Sequence, residues 1–373
     1  MSDAAWSPWL ARCGTRALAV IGWMLGATHA LVCLKIPGRF AWPAVIGASI
    51  LAWIAARAVK ARAEAPTTPS PSAPTGGRRA LAELAPLVAA AIGLAAPLSD
   101  AMRTAVYAHD ALYIWTPATA IAMDEAPPRL HAVLKPGEVR VHYHPEYVRG
   151  LPLLNALLSA PFDAVDTRPH RLAPFLLCLL GLLAGFDATA RRGNLLGAFF
   201  GALLVGLIQL FARHASSGYA DAALASFFVA ACGALAPDAR GRSRPWIAMG
   251  AALGAAVTKD EGAIVFLLVA LVAAARAVPD RSPAGLFAIA AAASVFAPWK
   301  LVRKEQHLLV SEPMALLRHL PENAGLAWLR FERTLAEFGH LGFGTPDPSP
   351  GGGLFWQTPG GDSVWWAAAA ALV

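Results

Sequence analysis

The chain has 373 residues, 57% of them hydrophobic and 15% charged, with a mean hydropathy of +0.50. That composition excludes an ordinary soluble domain and predicts an all-α, polytopic transmembrane bundle. The formal net charge is +7, but the basic residues gather at the ends of apolar runs, the positive-inside pattern of membrane proteins, and there is no nucleic-acid motif.

In chain order, residues 16–35 and 40–58 are the first two expected spans, each long enough to cross a bilayer as a helix. The first has no clear cleavage site and is expected to stay as an anchor. Residues 60–79 are Pro/Ser/Thr/Ala-rich and end in Gly76-Gly77-Arg78-Arg79, which predicts a linker with no core of its own. A third span is expected over 81–98. Further spans follow at 172–186, 195–211 and 222–235. Residues 246–257 and 263–275 form a split apolar region, broken by Lys259-Asp260-Glu261-Gly262, and another span covers 284–299. The total is about nine or ten spans. The final apolar run, 364–373, is too short to cross alone, and the expectation is that the chain is cut short there. Three parts result: an N-terminal pair of helices (1–59), a linker (60–79) and a core (80–373). The cysteines Cys13, Cys33, Cys178 and Cys232 lie in or beside apolar runs without metal or redox spacing.

Basic residues set the expected orientation. Arg12 and Arg16 put the N-terminus in the cytoplasm, as does the linker with Lys60, Arg62, Arg78 and Arg79. Arg191 with Arg192, then Arg240, Arg242 and Arg244, then Arg276 with Arg281, mark further cytoplasmic loops. The opposite, exoplasmic side then receives the long polar loop before residue 172, the 213–221 connection, the 259–262 break and the 300–362 region. Lys35 and Arg39 run against this assignment.

The long first loop runs from His109 to Pro161 and is expected to carry short interfacial helices. Loops this long are usually functional or disordered, and its aromatic anchors and amphipathic tail predict a folded one. Asp110 fits two roles. It can cap a short helix beginning at Ala111, or act as a general base at the mouth of a membrane cavity. His142, His144 and Glu146 alternate, so on an extended segment they share a side and suit a metal or a phosphate; as loop residues they are simply solvated. Trp115, Tyr143 and Tyr147 suit an interfacial belt. Leu151, Leu154, Leu157 and Leu158 recur at helical spacing, which predicts a short helix lying flat on the membrane surface over the cavity. Asp221, after Ser216-Ser217-Gly218-Tyr219, fits a helix cap or a site residue. Lys259, Asp260 and Glu261 interrupt an apolar region, where ionisable groups are costly and suggest function; a Lys–Glu pair in a turn at Gly262 is the structural alternative.

These elements together resemble the GT-C membrane glycosyltransferases, which include the protein O-mannosyltransferases and the aminoarabinose transferase-like enzymes. Asp110-Ala111-Leu112-Tyr113-Ile114-Trp115 resembles their first-loop carboxylate motif. His144-Pro145-Glu146-Tyr147 is similar to their His-Pro-Asp-Tyr-Pro stretch, and Tyr219-Ala220-Asp221 to their Tyr-Ala-Asp element. Thr258-Lys259-Asp260-Glu261-Gly262 is similar to their Thr-Lys-Asn-Glu-Gly break. The likeness covers about residues 81–299, with Glu146 in place of Asp, Val148-Arg149-Gly150 in place of Pro, and Asp260 in place of Asn. A basic residue common soon after the aromatic helix start is missing around Pro117–Ala120.

The resemblance implies a sugar donor on polyprenyl phosphate, its tail among membrane lipid, and a glycan, lipid or protein acceptor on the exoplasmic side of the plasma membrane. Asp110 would be the base of an inverting transfer. His109, Tyr113, Trp115, His144, Glu146, Tyr147, Arg149, Arg213, Tyr219, Asp221, Lys259 and Glu261 would line the substrate site, with Lys259, Arg149, His144 and Arg213 facing the phosphate. The resemblance leaves metal use open, with His142, His144 and Glu146 as the candidate ligands of a divalent ion. The competing expectation is a transporter or flippase for a lipid-linked or small polar substrate, since interrupted helices bearing charges also mark transporter sites. A non-catalytic scaffold would need none of the ionisable clusters.

Overall fold

The computed structural model describes residues 7–34, 36, 40–51, 76–103, 148, 150–159, 167–192, 194–207, 215–216, 220–237, 243–277 and 283–305. Among these residues all regular structure is helical, and no strand occurs. The longer helices are α1 (Trp9–Cys33), α2 (Phe40–Leu51), α3 (Gly76–Arg103), α4 (Gly150–Ser159) and α5 (Thr167–Ala190). They continue as α6 (Leu195–Leu207), α7 (Ala220–Leu235), α8 (Pro245–Thr258), α9 (Gly262–Ala277) and α10 (Pro283–Glu305). Proline opens α8 and α10, where its missing N–H has no intrahelical partner to lose. Two helical stretches, Trp9–Cys33 and Leu172–Ala190, are long and apolar enough to cross a membrane.

The core is built on α8. Every residue from Ala248 to Thr258 is buried, and most are alanine or glycine. Small side chains let neighbouring helices approach to backbone distance. A Cβ on Gly22 of α1 would lie 2.0 Å from the carbonyl oxygen of Gly250, and one on Gly26 would strike Leu253. Helices α1, α7, α9, α10 and α4 all pack on α8. A second close approach joins α3 to α6, where a Cβ on Gly93 would lie 2.9 Å from the Cα of Gly206.

The outward faces are apolar. Leu84, Leu87, Val88 and Ile92 of α3 are exposed, as are Leu267, Leu268, Leu271 and Val272 of α9 and Leu286 and Phe287 of α10. Contiguous exposed apolar surface of this kind calls for a non-aqueous or protein neighbour.

Three expectations change. The first helix starts at Trp9 rather than near residue 16, so Arg12 lies within it rather than ahead of it and Arg16 is no longer at its start. Helix α3 starts at Gly76, so the Gly-Gly-Arg-Arg end of the expected linker is helical. Helix α1 is also no appendage beside a separate core, because it packs more extensively on α8 than any other helix does. Hydropathy reports that a run is apolar, not which runs touch. The contact is set by Gly14, Gly22 and Gly26, which bring α1 against α5 and α8.

Helix α4 appears where the leucine spacing places one. Leu151, Pro152, Leu153, Asn155, Ala156 and Ser159 are buried, whereas Leu154, Leu157 and Leu158 are half-buried. Leu154 and Leu157 still pack against the core, so two polar side chains are enclosed alongside the leucines rather than in place of them. Of the periodic leucines, Leu151 alone is fully covered.

The α1–α8 contact yields a paired test. Gly22→Leu forces a side chain into backbone, a clash expected to cost about 3 kcal/mol or more, and should collapse the yield of folded protein. A Cβ on Gly201 of α6 meets nothing within 4 Å, so Gly201→Ala should raise stability by about 0.5–1 kcal/mol. Thermal unfolding of detergent-solubilised protein measures both.

Candidate functional site

The candidate site grows from the end of α8. The Thr258 hydroxyl donates back to the Gly254 carbonyl at 2.7 Å, and Lys259 leaves the helix in an extended conformation, φ −152° and ψ 154°. The amides of Gly262, Ala263 and Ile264 then donate to the carbonyls of Lys259, Asp260 and Glu261, at 2.9, 3.0 and 3.0 Å. The chain turns so tightly that a Cβ on Gly262 would sit 1.9 Å from the Ala255 carbonyl oxygen. Glycine is required there by that approach. The break is therefore a full reversal between two packed helices, not an interruption within one span.

The reversal delivers Lys259 to the start of α7. Its Nζ lies 2.7 Å from Asp221 Oδ1 and 3.7 Å from Glu261 Oε1. The first is a hydrogen-bonded ion pair, the second only a Coulombic neighbour. Asp221 sits within the first turn of α7, where the helix dipole favours a carboxylate. The lysine side chain is 16% exposed and its two partners 40% and 36%. A shielded cation thus stands between two solvent-facing carboxylates. Asp260, by contrast, is buried. Helix α4 abuts the same place, since a Cβ on Gly150 would lie 2.3 Å from the carbonyl oxygen of Val257.

Of the sequence-predicted site residues, Asp221, Lys259 and Glu261 are described, and the structure brings these three together from the start of α7 and the turn after α8. Asp110, His109, Tyr113, Trp115, His142, His144, Glu146, Tyr147, Arg149, Arg213 and Tyr219 lie outside the described residues. Among the described residues no group of three or more His, Cys, Asp or Glu side chains is arranged to hold a metal.

A second charged cluster, at the other end of α8, was not anticipated. Asp187 on α5 is fully buried. It accepts hydrogen bonds from Ser7 Oγ at 2.7 Å and Thr15 Oγ1 at 2.8 Å. Arg191 Nε lies 3.4 Å away and Arg244 Nη1 3.7 Å. Arg191 also donates to the Gly233 carbonyl at 2.6 Å, the Arg244 amide to Ala234 at 2.9 Å, and the Arg276 guanidinium to the Leu235 carbonyl. These are the last carbonyls of α7, which cations satisfy well. The basic residues that marked loop orientation in the sequence therefore act inside the structure. The available signal was a carboxylate in an apolar run, four residues before Arg191.

The two clusters divide the labour. The Asp187 group is enclosed and joins α1, α5, α7 and α8. The Lys259 group is open on its carboxylate side and offers a cation whose contact with Glu261 is too long for a hydrogen bond. An arriving anion can replace that weaker contact while Asp221 keeps the lysine in position. Comparison with known protein families, with curated proteins and with solved structures gave no match for this chain.

Asp187→Ala leaves Arg191 and Arg244 without their buried carboxylate and should destabilise the protein by about 3–5 kcal/mol. Asp221→Asn breaks a partly exposed pair and should cost less than about 1 kcal/mol. Equal losses for the two variants in thermal unfolding would contradict this division.

Proposed function

We propose that the chain is an integral membrane glycosyltransferase of the GT-C type. It transfers a sugar from a polyprenyl-phosphate donor to a glycan, lipid or protein acceptor of the cell envelope. The observation that carries the reading is the meeting of Asp221, Lys259 and Glu261. These residues belong to two motifs far apart in sequence, each similar to an element of those enzymes. Their cluster lies at the end of the bundle opposite the guanidinium group around Asp187. If the basic end is cytoplasmic, as positive-inside bias requires, the Lys259 end is exoplasmic, with the first loop. The apolar outward faces of α3, α9 and α10 suit a multi-pass bundle surrounded by lipid.

The chemistry is a single displacement. The Asp110 carboxylate takes the proton of an acceptor hydroxyl as the hydroxyl oxygen attacks the anomeric carbon. The bond from that carbon to the phosphate oxygen breaks, and polyprenyl phosphate leaves with the electron pair. Attack from the face opposite the leaving group inverts the anomeric centre. A phosphate needs no general acid to leave, only a cation to meet its charge, and Lys259 supplies one, with Arg149, His144 and Arg213 as further candidates.

Asp110→Asn keeps the size and capping capacity of the side chain but cannot accept a proton at neutral pH. Sugar transfer in membranes at matched protein level should fall by about 100- to 10,000-fold. Lys259→Met should mainly raise the KM for the anionic donor. A well-expressed Asp110→Asn protein with near wild-type turnover would reject the assignment of the base.

A further inference from the structure

Helix α1 outreaches its neighbour α8 at one end. The two run in the same direction, since Gly22 meets Gly250 and Gly26 meets Leu253. By that register Pro245, where α8 begins, falls level with Ala17. The stretch from Trp9 to Arg16 therefore extends about 12 Å past the start of α8, at 1.5 Å per residue. This is the end of the bundle that holds Asp187, Arg191 and Arg244.

The outward side of α1 at this end is a mixed basic and aromatic stripe. Trp9, Arg16 and Trp23 recur every seven residues and so share a face, with Arg12 one turn before Arg16. Trp9 is 60% exposed, Val20 53% and Trp246 of α8 46%. Arg16 is exposed, and Arg12 and Trp23 are half-buried. Trp23 closes on Trp246, with ring centroids 5.9 Å apart and its indole N–H donating to the Trp246 carbonyl at 3.2 Å. Two guanidiniums thus lie between an exposed tryptophan and a packed pair of them. The Arg12 Nε is covered and meets no acceptor among the described residues. The described carboxylates that bond to this part of the chain are engaged with other groups. Asp187 holds Ser7, Thr15, Arg191 and Arg244, and Glu83 of α3 accepts from the Trp9 amide.

Tryptophan favours the depth at which headgroups meet acyl chains, and basic clefts between helices on the cytoplasmic side suit anionic headgroups. Guanidinium forks match the oxygens of a phosphate. We propose that Arg12 and Arg16 hold the headgroup phosphate of an anionic phospholipid in the cytoplasmic leaflet, its acyl chain lying over Val20, Trp23 and Trp246. The exposed valine and indole decide for a lipid over a free anion, because a free anion would leave them uncovered. The inference takes its membrane placement from the proposed function and nothing from sugar transfer.

The test uses the full chain purified in detergent, with bound lipid counted by native mass spectrometry. The probes are dioleoyl phosphatidylglycerol, dioleoyl phosphatidylcholine and inorganic phosphate. The wild type should retain phosphatidylglycerol in preference to phosphatidylcholine. Arg12→Gln and Arg16→Gln should each weaken phosphatidylglycerol binding about five-fold and leave phosphatidylcholine unchanged. Arg192→Gln removes an exposed cation at the same end but off the stripe, and should change neither. Equal losses in all three variants would mean diffuse attraction by net charge and would overturn the site. Displacement of phosphatidylglycerol by an equal concentration of inorganic phosphate would overturn the lipid as its occupant. Without added lipid, the two stripe variants should unfold at the wild-type temperature. Should either fail to fold, the wild type in rising salt decides: salt should screen a phosphate held at an exposed guanidinium, and a preference indifferent to salt would overturn the proposal. The two readings fail separately. A protein that retains phosphatidylglycerol through Arg12 and Arg16 but transfers no sugar refutes only the transferase. One that transfers sugar without preferring phosphatidylglycerol refutes only the lipid site.

Discussion

Backbone contact at α8 is the constraint on which the rest of the bundle depends. Its residues from Ala248 to Thr258 are all covered, and their small size leaves little room around the axis. Gly22 can meet Gly250 only because neither carries a side chain. This geometry places α1 in the middle, puts α7 beside α8, and fixes where the two charged clusters fall. A core of alanine and glycine gains less from apolar burial per residue than one of leucine, and compensates through many close van der Waals contacts.

The ends of α7 show how charge supplements that packing. Asp221 in its first turn meets Lys259, and its last carbonyls receive Arg191, Arg276 and the Arg244 amide. Each terminus thus carries the sign that its dipole favours. The enclosed Asp187 group is the costlier arrangement, because two guanidiniums and a carboxylate must leave water. Its hydroxyl donors Ser7 and Thr15 come from the N-terminal segment and α1, so the cluster also ties the beginning of the chain into the bundle.

Much of the helix layout was legible in the residues, and the reasons differ by element. Apolar runs bounded by Arg191, Pro245, Gly262 and Pro283 marked α5 to α10 closely, because termination is local chemistry. The reversal at Lys259–Gly262 was visible as a charged interruption, and the approach of Lys259 to Asp221 followed from placing both on one side. The centrality of α1 was not legible, since glycine spacing shows that a helix can be approached but not by which partner. Helix α4 was legible from its leucine spacing, and Leu151, Leu154 and Leu157 all meet the core. The burial of Asn155 and Ser159 beside them was not, because periodicity of apolar residues says nothing about polar ones enclosed with them. Asp187 escaped notice because a single carboxylate near a helix end looks solvated until its hydroxyl and guanidinium partners are known. The first-loop residues, from His109 to Tyr147, rest on sequence alone.

Helix α7 has 16 residues, so its charged ends stand about 24 Å apart at 1.5 Å per residue. Helix α8, with 14 residues, spans about 21 Å by the same measure. The hydrocarbon layer of an ordinary bilayer is about 30 Å thick. The charged contacts at both ends of α7 could not slide into such a layer to make up the difference. On the proposed reading of α7 and α8 as spans, the lipid around them would have to thin, and acyl-chain length would then act on the spacing between the two charged ends.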